Sequence, residues 1–140
     1  MAAKVLLVED DVNLRDIYFA RFQAEGYELS VASNGEEALA MTVMVKPDLM
    51  ILDVMMPRIS GFDVLDIVRS TPETAHTKVI MMTALSEESD SNRGKALGVD
   101  EYLVKSQVKL EDVVSTVKRV LGTATSAAPA TPTEGAAPAA

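Results

Sequence analysis

Five short apolar runs are spread through the first three quarters of the chain, at residues 5–8, 27–32, 49–52, 79–82 and 102–104. Most are continuous rather than alternating, and each is bounded by polar residues or glycine, the pattern of strands buried on both faces. The segments between them carry apolar residues at helical spacing. Leu110, Val113, Val114, Val117, Val120 and Leu121 predict one stripe on a helix after the fifth run, and Leu14, Ile17, Tyr18 and Phe22 predict another after the first. Ser33 with Glu36, and Ser60 with Asp63, have the spacing of a capping box and predict where the second and third helices begin. Residues 86–97 are polar, hold Gly94 and offer only Ala96 and Leu97 as apolar anchors, which predicts the weakest helix. Strands alternating with helices imply an α/β fold. Right-handed crossovers place helices on both faces of a five-stranded parallel sheet, a (βα)5 three-layer sandwich. In such open sheets ligands bind beyond the carboxyl ends of the strands.

The 140 residues are 48% hydrophobic and contain no cysteine, enough for one stable domain without disulfides and without zinc ribbons or thiol chemistry. Residues 122–140 hold eight alanines, four threonines, three prolines and one charge, so the folded unit is expected to span 1–121 and residues 122–140 to form a disordered tail. The formal charge of −8 opposes direct binding to nucleic acid or to an anionic membrane. Every apolar run is far short of the ~20 residues of a membrane span, and no signal peptide is evident, which predicts a cytoplasmic protein.

The predicted strand ends carry the chemistry. The first run ends in Glu9, Asp10 and Asp11, the third in Asp53, the fourth in Thr83 and the fifth in Lys105. A parallel sheet brings these to one edge. Carboxylates gathered there raise a pKa or hold a hard cation, and oxygen ligands suit Mg²⁺. Pro57 breaks the chain soon after Asp53 and frees backbone groups, so the carbonyl of Met55 is a further candidate ligand. A threonine hydroxyl and a lysine ammonium are groups that hold phosphoryl oxygens, and the set reads as Mg²⁺-assisted phosphoryl transfer to a carboxylate. Taken singly, each residue has a plainer role: the acid run as a solvated turn, Thr83 as a strand end, Lys105 as a surface lysine and Tyr102 as core filler. His76, the only histidine, lies in a polar stretch and has no partner for a metal site. The eight methionines are expected to fill core space, with Met41 and Met44 open to a partner surface. A Gly-rich phosphate loop is absent, which argues against nucleotide binding.

The ordered set Val8-Glu9-Asp10-Asp11, Asp53-Val54-Met55-Met56-Pro57 with Gly61, Thr83-Ala84 and Tyr102-Leu103-Val104-Lys105 resembles the receiver domain of bacterial two-component response regulators. Steps of 43, 30 and 22 residues separate Asp10, Asp53, Thr83 and Lys105, and the resemblance covers residues 4–121. It implies a flavodoxin-like sandwich with strand order 2-1-3-4-5, the order for which a member of this family is a standard example. It further implies a stand-alone receiver of a phosphorelay, with Asp53 as phosphoacceptor from a sensor histidine kinase or histidine phosphotransfer protein. Asp10, Asp53 and the Met55 carbonyl would ligate Mg²⁺, with Glu9 acting through water. Thr83 and Lys105 would hold phosphoryl oxygens, and Tyr102 would be the switch aromatic. Asp11 falls one place later, where it suits the start of the first helix. The output would be altered binding of a downstream protein through the helix 4, strand 5 and helix 5 face. That face carries Arg93, Asp100, Glu101, Asp112, Lys118 and Arg119, charges open to a phosphorylation-dependent homodimer. Two alternatives stand beside this: a Mg²⁺-dependent aspartyl-phosphate phosphatase, and a degenerate receiver that binds partners without phosphorylation. The family usually has proline after the lysine, joined by a cis bond; here Ser106 follows Lys105, which predicts an altered loop. Met55 and Leu85, each two places after a site residue, are expected to hinder water and prolong the phosphoryl group.

Overall fold

The computed structural model describes residues 2–84 and 88–124. In chain order the elements are β1 (Lys4–Val8), α1 (Val12–Ala24), β2 (Glu28–Ala32), α2 (Gly35–Val45), β3 (Leu49–Asp53), α3 (Gly61–Ser70), β4 (Lys78–Thr83), α4 (Glu88–Ala96), β5 (Glu101–Val104), a 3-10 turn (Lys105–Gln107) and α5 (Leu110–Ala124). The five strands form one parallel sheet in the order β2-β1-β3-β4-β5. This is the expected flavodoxin-like architecture. The expected boundary at residue 122 falls inside α5, which runs to Ala124, and residues 125–140 lie outside the described residues.

Strand side chains alternate between two faces, and so the continuous apolar runs serve two cores. Val5, Leu7, Leu49, Ile51, Ile80 and Met82 pack with Tyr18 and Phe22 of α1 and the valine stripe of α5. Their neighbours Leu6, Val8, Met50, Leu52, Val79 and Met81 pack on the other face with Ala38 of α2 and with Phe62, Val64, Leu65 and Val68 of α3. The methionines of β3 and β4 are buried core residues, whereas Met44 is 77% exposed.

Several local expectations meet their physical test here. Asp11 caps α1, its side chain accepting from the Leu14 N–H at 3.2 Å. Ser60 and Asp63 form the expected capping box of α3. At α2 the cap is Asn34 rather than Ser33: Asn34 Oδ1 accepts from the Glu37 N–H at 2.9 Å, while the Ser33 hydroxyl is occupied by Arg15 at 2.7 Å. Both residue types cap well, and the Arg15 bond withdraws one of them. Ile17, expected in the apolar stripe of α1, is 53% exposed. The stripe that reaches the core is Leu14, Tyr18 and Phe22. The α4 helix is sparsely anchored, with Gly94 the one buried position among its described side chains.

Candidate functional site

Strand register builds a stepped edge. Val8 lies opposite Leu52, Asp53 opposite Met82, and Thr83 opposite Val104, so Glu9, Asp53, Thr83 and Lys105 emerge at successive steps across the sheet. The turn after β3 is held tightly: Val54 N–H donates to the Met82 carbonyl at 3.1 Å, and Gly61 N–H to the Val54 carbonyl at 3.0 Å. A Cβ at Gly61 would lie 2.4 Å from the Asp53 carbonyl oxygen, so the start of α3 touches the backbone of Asp53 itself.

Glu9, Asp10 and Asp53 each bring a carboxylate oxygen within 4.8 Å of the others. Glu9 and Asp53 are each 3% exposed, and Asp10 lies at the surface. Lys105 Nζ sits against two of them, 3.0 and 3.1 Å from the two oxygens of Glu9 and 3.4 Å from Asp53 Oδ2. Asp53 Oδ1 accepts from the Met55 N–H at 3.2 Å. Burial, reinforced by the hydrogen bond to Asp53, pushes Glu9 up to about 7, against the pull of Lys105. Burial also raises Asp53, and the nearby charge of Asp10 adds to the rise, while Glu9, Lys105 and the Met55 N–H act in the opposite direction. Burial opposes the charge of Lys105, but the two carboxylates outweigh it and raise its pKa.

This donor set fits Mg²⁺. Three carboxylates in one small volume are hard oxygen donors, and a divalent cation would favour the charged forms of Glu9 and Asp53 that burial disfavours.

Thr83 is fully buried at the end of β4. Tyr102 is half-buried; its hydroxyl is shielded and has no hydrogen-bond partner among the described residues, although Thr83 is near enough to favour its ionised form against the dominant effect of burial. The ring lies against Gly94, where a Cβ would approach Tyr102 Cδ2 to 3.0 Å. Met55 is 55% exposed beside the site, and Leu85 lies outside the described residues. The segment around Ser106 is a single 3-10 turn without a cis peptide bond among the described residues, and Lys105 still reaches Asp53 from it.

Three features escaped the sequence. Glu9 is paired directly with Lys105, a partner its place after β1 does not announce. Tyr18, placed only in a core stripe, is close enough to feel the charges of Lys105, Glu9 and Asp53, though burial is the chief cause of its raised pKa. Arg93 stacks on Phe62, its guanidinium carbon 4.4 Å from the ring centroid, in a cleft that also includes Asp10. Spacing along the chain carries no signal for the last two. The charges of the α4, β5 and α5 face are largely engaged within the chain: Asp100 with Arg69 and the Val79 N–H, Glu101 with Arg119, Lys118 with Glu25, and Asp112 with the Lys109 N–H.

Residues 5–118 match the family described as the response regulator receiver domain. The chain is 40% identical over 118 residues to the probable transcriptional regulator ycf27 of Porphyra purpurea, covering 83% of this chain and 47% of that protein. It is 40% identical over 105 residues to the phosphate regulon transcriptional regulatory protein PhoB of Rhizobium meliloti, covering 75% of this chain and 46% of that one. It thus spans about half the length of these curated relatives. Among solved structures it resembles the chemotaxis protein CheY4 of Vibrio cholerae, at 34% identity and a TM-score of 0.80, covering 86% of this chain and 99% of that one. Among the described residues no helix is long and apolar enough to cross a membrane. A receiver match across most of the chain, on a sheet of order 2-1-3-4-5 with acids, threonine and lysine at its carboxyl edge, leads to one conclusion: the chain belongs to the response regulator receiver domains of two-component systems.

Proposed function

We propose that Asp53 is the phosphoacceptor of a Mg²⁺-dependent signalling switch in the cytoplasm, charged by a phosphohistidine on a sensor histidine kinase or histidine phosphotransfer protein. The observation that carries this reading is the meeting of Glu9, Asp10 and Asp53, with Lys105 against Glu9 and Asp53, at the carboxyl edge of a receiver fold. An Asp53 carboxylate oxygen forms the new bond to phosphorus, the phosphorus–nitrogen bond of the donor breaks, and its electron pair returns to the imidazole. Asp10, Asp53 and the Met55 carbonyl would hold Mg²⁺, with Glu9 acting through water. The ion supplies charge neutralisation that lets a carboxylate approach a phosphoryl group.

The remaining work falls to the chain. Lys105 stands 3.4 Å from Asp53 and pairs with a phosphoryl oxygen by leaving Glu9. Thr83, at the adjacent strand end, donates its hydroxyl to another oxygen. Withdrawal of Thr83 toward the site opens space beside it for Tyr102, whose shielded hydroxyl lacks a partner among the described residues. The face of α4, β5 and α5 then changes its binding to a downstream protein or to a second copy of the chain.

The test is intact mass after incubation with phosphoramidate and Mg²⁺, for the parent chain and Asp53→Asn. One stoichiometric phosphoryl group that requires both Asp53 and Mg²⁺ is expected. Continuing release of phosphate without a retained adduct would favour a phosphatase, and no addition at all would leave a receiver that works by binding alone.

A further inference from the structure

Beside the acidic site lies an open cleft of about 470 Å³, lined by Asp10, Met55, Phe62, Asp90 and Arg93 among others. Arg93 is the one cation in this lining. It differs from the other arginines of the described residues. Arg21, Arg58, Arg69 and Arg119 each have a carboxylate partner and Arg15 bonds Ser33, whereas Arg93 has no ion pair or hydrogen bond among the described residues. Its guanidinium is held instead over the buried ring of Phe62, which follows Gly61 at the turn packed on Asp53. Stacking of this kind fixes the plane of the guanidinium and leaves its donors unspent.

We infer that Arg93 receives the departing carboxylate of small acyl phosphate donors, and so sets which small donors charge Asp53. The inference rests on Asp53 being the acceptor. In phosphoryl transfer the leaving group departs opposite the attacking oxygen, here outward from Asp53 toward the open side of the site. The cleft has the size of a small-molecule site, and its single cation is of the type that binds carboxylates through a two-pronged fork. The step balances without a proton. An Asp53 oxygen bonds to phosphorus, the bond from phosphorus to the acyl oxygen breaks, and its electron pair leaves on a carboxylate. Phosphoramidate uses the same acceptor, but its phosphorus–nitrogen bond breaks to release neutral ammonia, which has no use for an arginine.

The two donors therefore separate this role from a structural one. Labelling rates with acetyl phosphate and with phosphoramidate are to be compared for the parent chain, Arg93→Gln, Arg93→Lys and, as a surface-charge control at the exposed end of α2, Lys46→Gln. Arg93→Gln is expected to slow acetyl phosphate about fivefold and phosphoramidate by less than about twofold, given the modest worth of an exposed ion pair. Arg93→Lys should recover part of the loss, and Lys46→Gln should match the parent. Independently of transfer, phosphonoacetate should shift the Arg93 side-chain NMR resonance saturably. Equal slowing with both donors, or none with either, overturns the role of Arg93 while Asp53 stands. Absence of labelling of the parent by both donors removes Asp53 as acceptor, and this inference with it.

Discussion

A methyl group added at Gly61 would meet the Asp53 carbonyl oxygen at 2.4 Å and Val54 Cα at 2.8 Å, both backbone atoms that cannot rotate away. Gly61→Ala must therefore move the β3–α3 turn. Overpacking of this kind typically costs about 1–3 kcal/mol, and urea unfolding should register a loss in that range. A variant as stable as the parent would mean that the turn does not sit this tightly on Asp53. Two residues beyond Asp53, Met55 presents an exposed thioether where a polar group would hold water. If Asp53 carries the phosphoryl group, Met55→Asn should shorten its lifetime about tenfold, below the usual gain from full acid–base assistance. Decay followed by mass would reveal it, and an unchanged lifetime would remove Met55 as a barrier to water. At this scale the sequence was legible where a residue ends a strand, since register alone carries Glu9, Asp53, Thr83 and Lys105 to one edge. Which carboxylate Lys105 binds, and that Arg93 stacks on Phe62, depend on distances between elements that chain spacing does not encode.

Among the elements, α4 and α5 offer a matched pair of glycines. Gly122 lies in α5 with open space around its Cβ position, while Gly94 lies in α4 against the ring of Tyr102 at 3.0 Å. Alanine in an open helical position gains about 0.8–1 kcal/mol over glycine, and Gly122→Ala should approach that gain. Gly94→Ala should forfeit it, because the ring of Tyr102 must shift to make room. Thermal unfolding of the two variants, with the Tyr102 ring resonances as a second readout, tests the contrast. Equal stabilisation and an unmoved ring would mean that α4 does not bear on Tyr102. The helices themselves were largely readable, because their apolar spacing matches the faces they bury. The buried stripe of α1 is one residue narrower than its apolar spacing predicts, since Ile17 lies on a flank that does not meet the sheet and its neighbours in sequence do not encode which flank does. The α2 cap slipped by one because Ser33 and Asn34 are both competent caps and a bond from Arg15 in another element decides between them.

For the whole molecule, charge determines how stability responds to pH. Glu9 of the metal-free chain, pushed up to about 7, keeps its proton in the folded state over a range where the unfolded chain has lost it. More protons bound by the folded state means that stability falls as pH rises. The contribution is complete below the ordinary glutamate value and is lost as pH climbs through about 7, a change on the order of 3 kcal/mol. The ion pairs joining α1 to α5 act in the reverse sense. Lys118, then Arg21, holds Glu25 below the usual range, and Arg21 does the same for Glu111, so their contribution is present above the ordinary glutamate value and fades as pH falls. A formal charge of −8 at neutral pH adds self-repulsion that also eases on the acid side. Stability of the metal-free chain should therefore peak at about pH 5 and decline toward pH 7.5, from the opposing signs of these two sets of acids. Mg²⁺ should raise the unfolding midpoint strongly at pH 7.5 and little at pH 5, because at the lower pH the ion must displace the proton on Glu9. Urea unfolding across this range, with and without Mg²⁺, measures both curves, and Glu9→Gln should flatten the metal-free decline. A decline that persists unchanged in Glu9→Gln would take it away from Glu9 and assign it to net charge or to Asp53, whose pKa burial also raises.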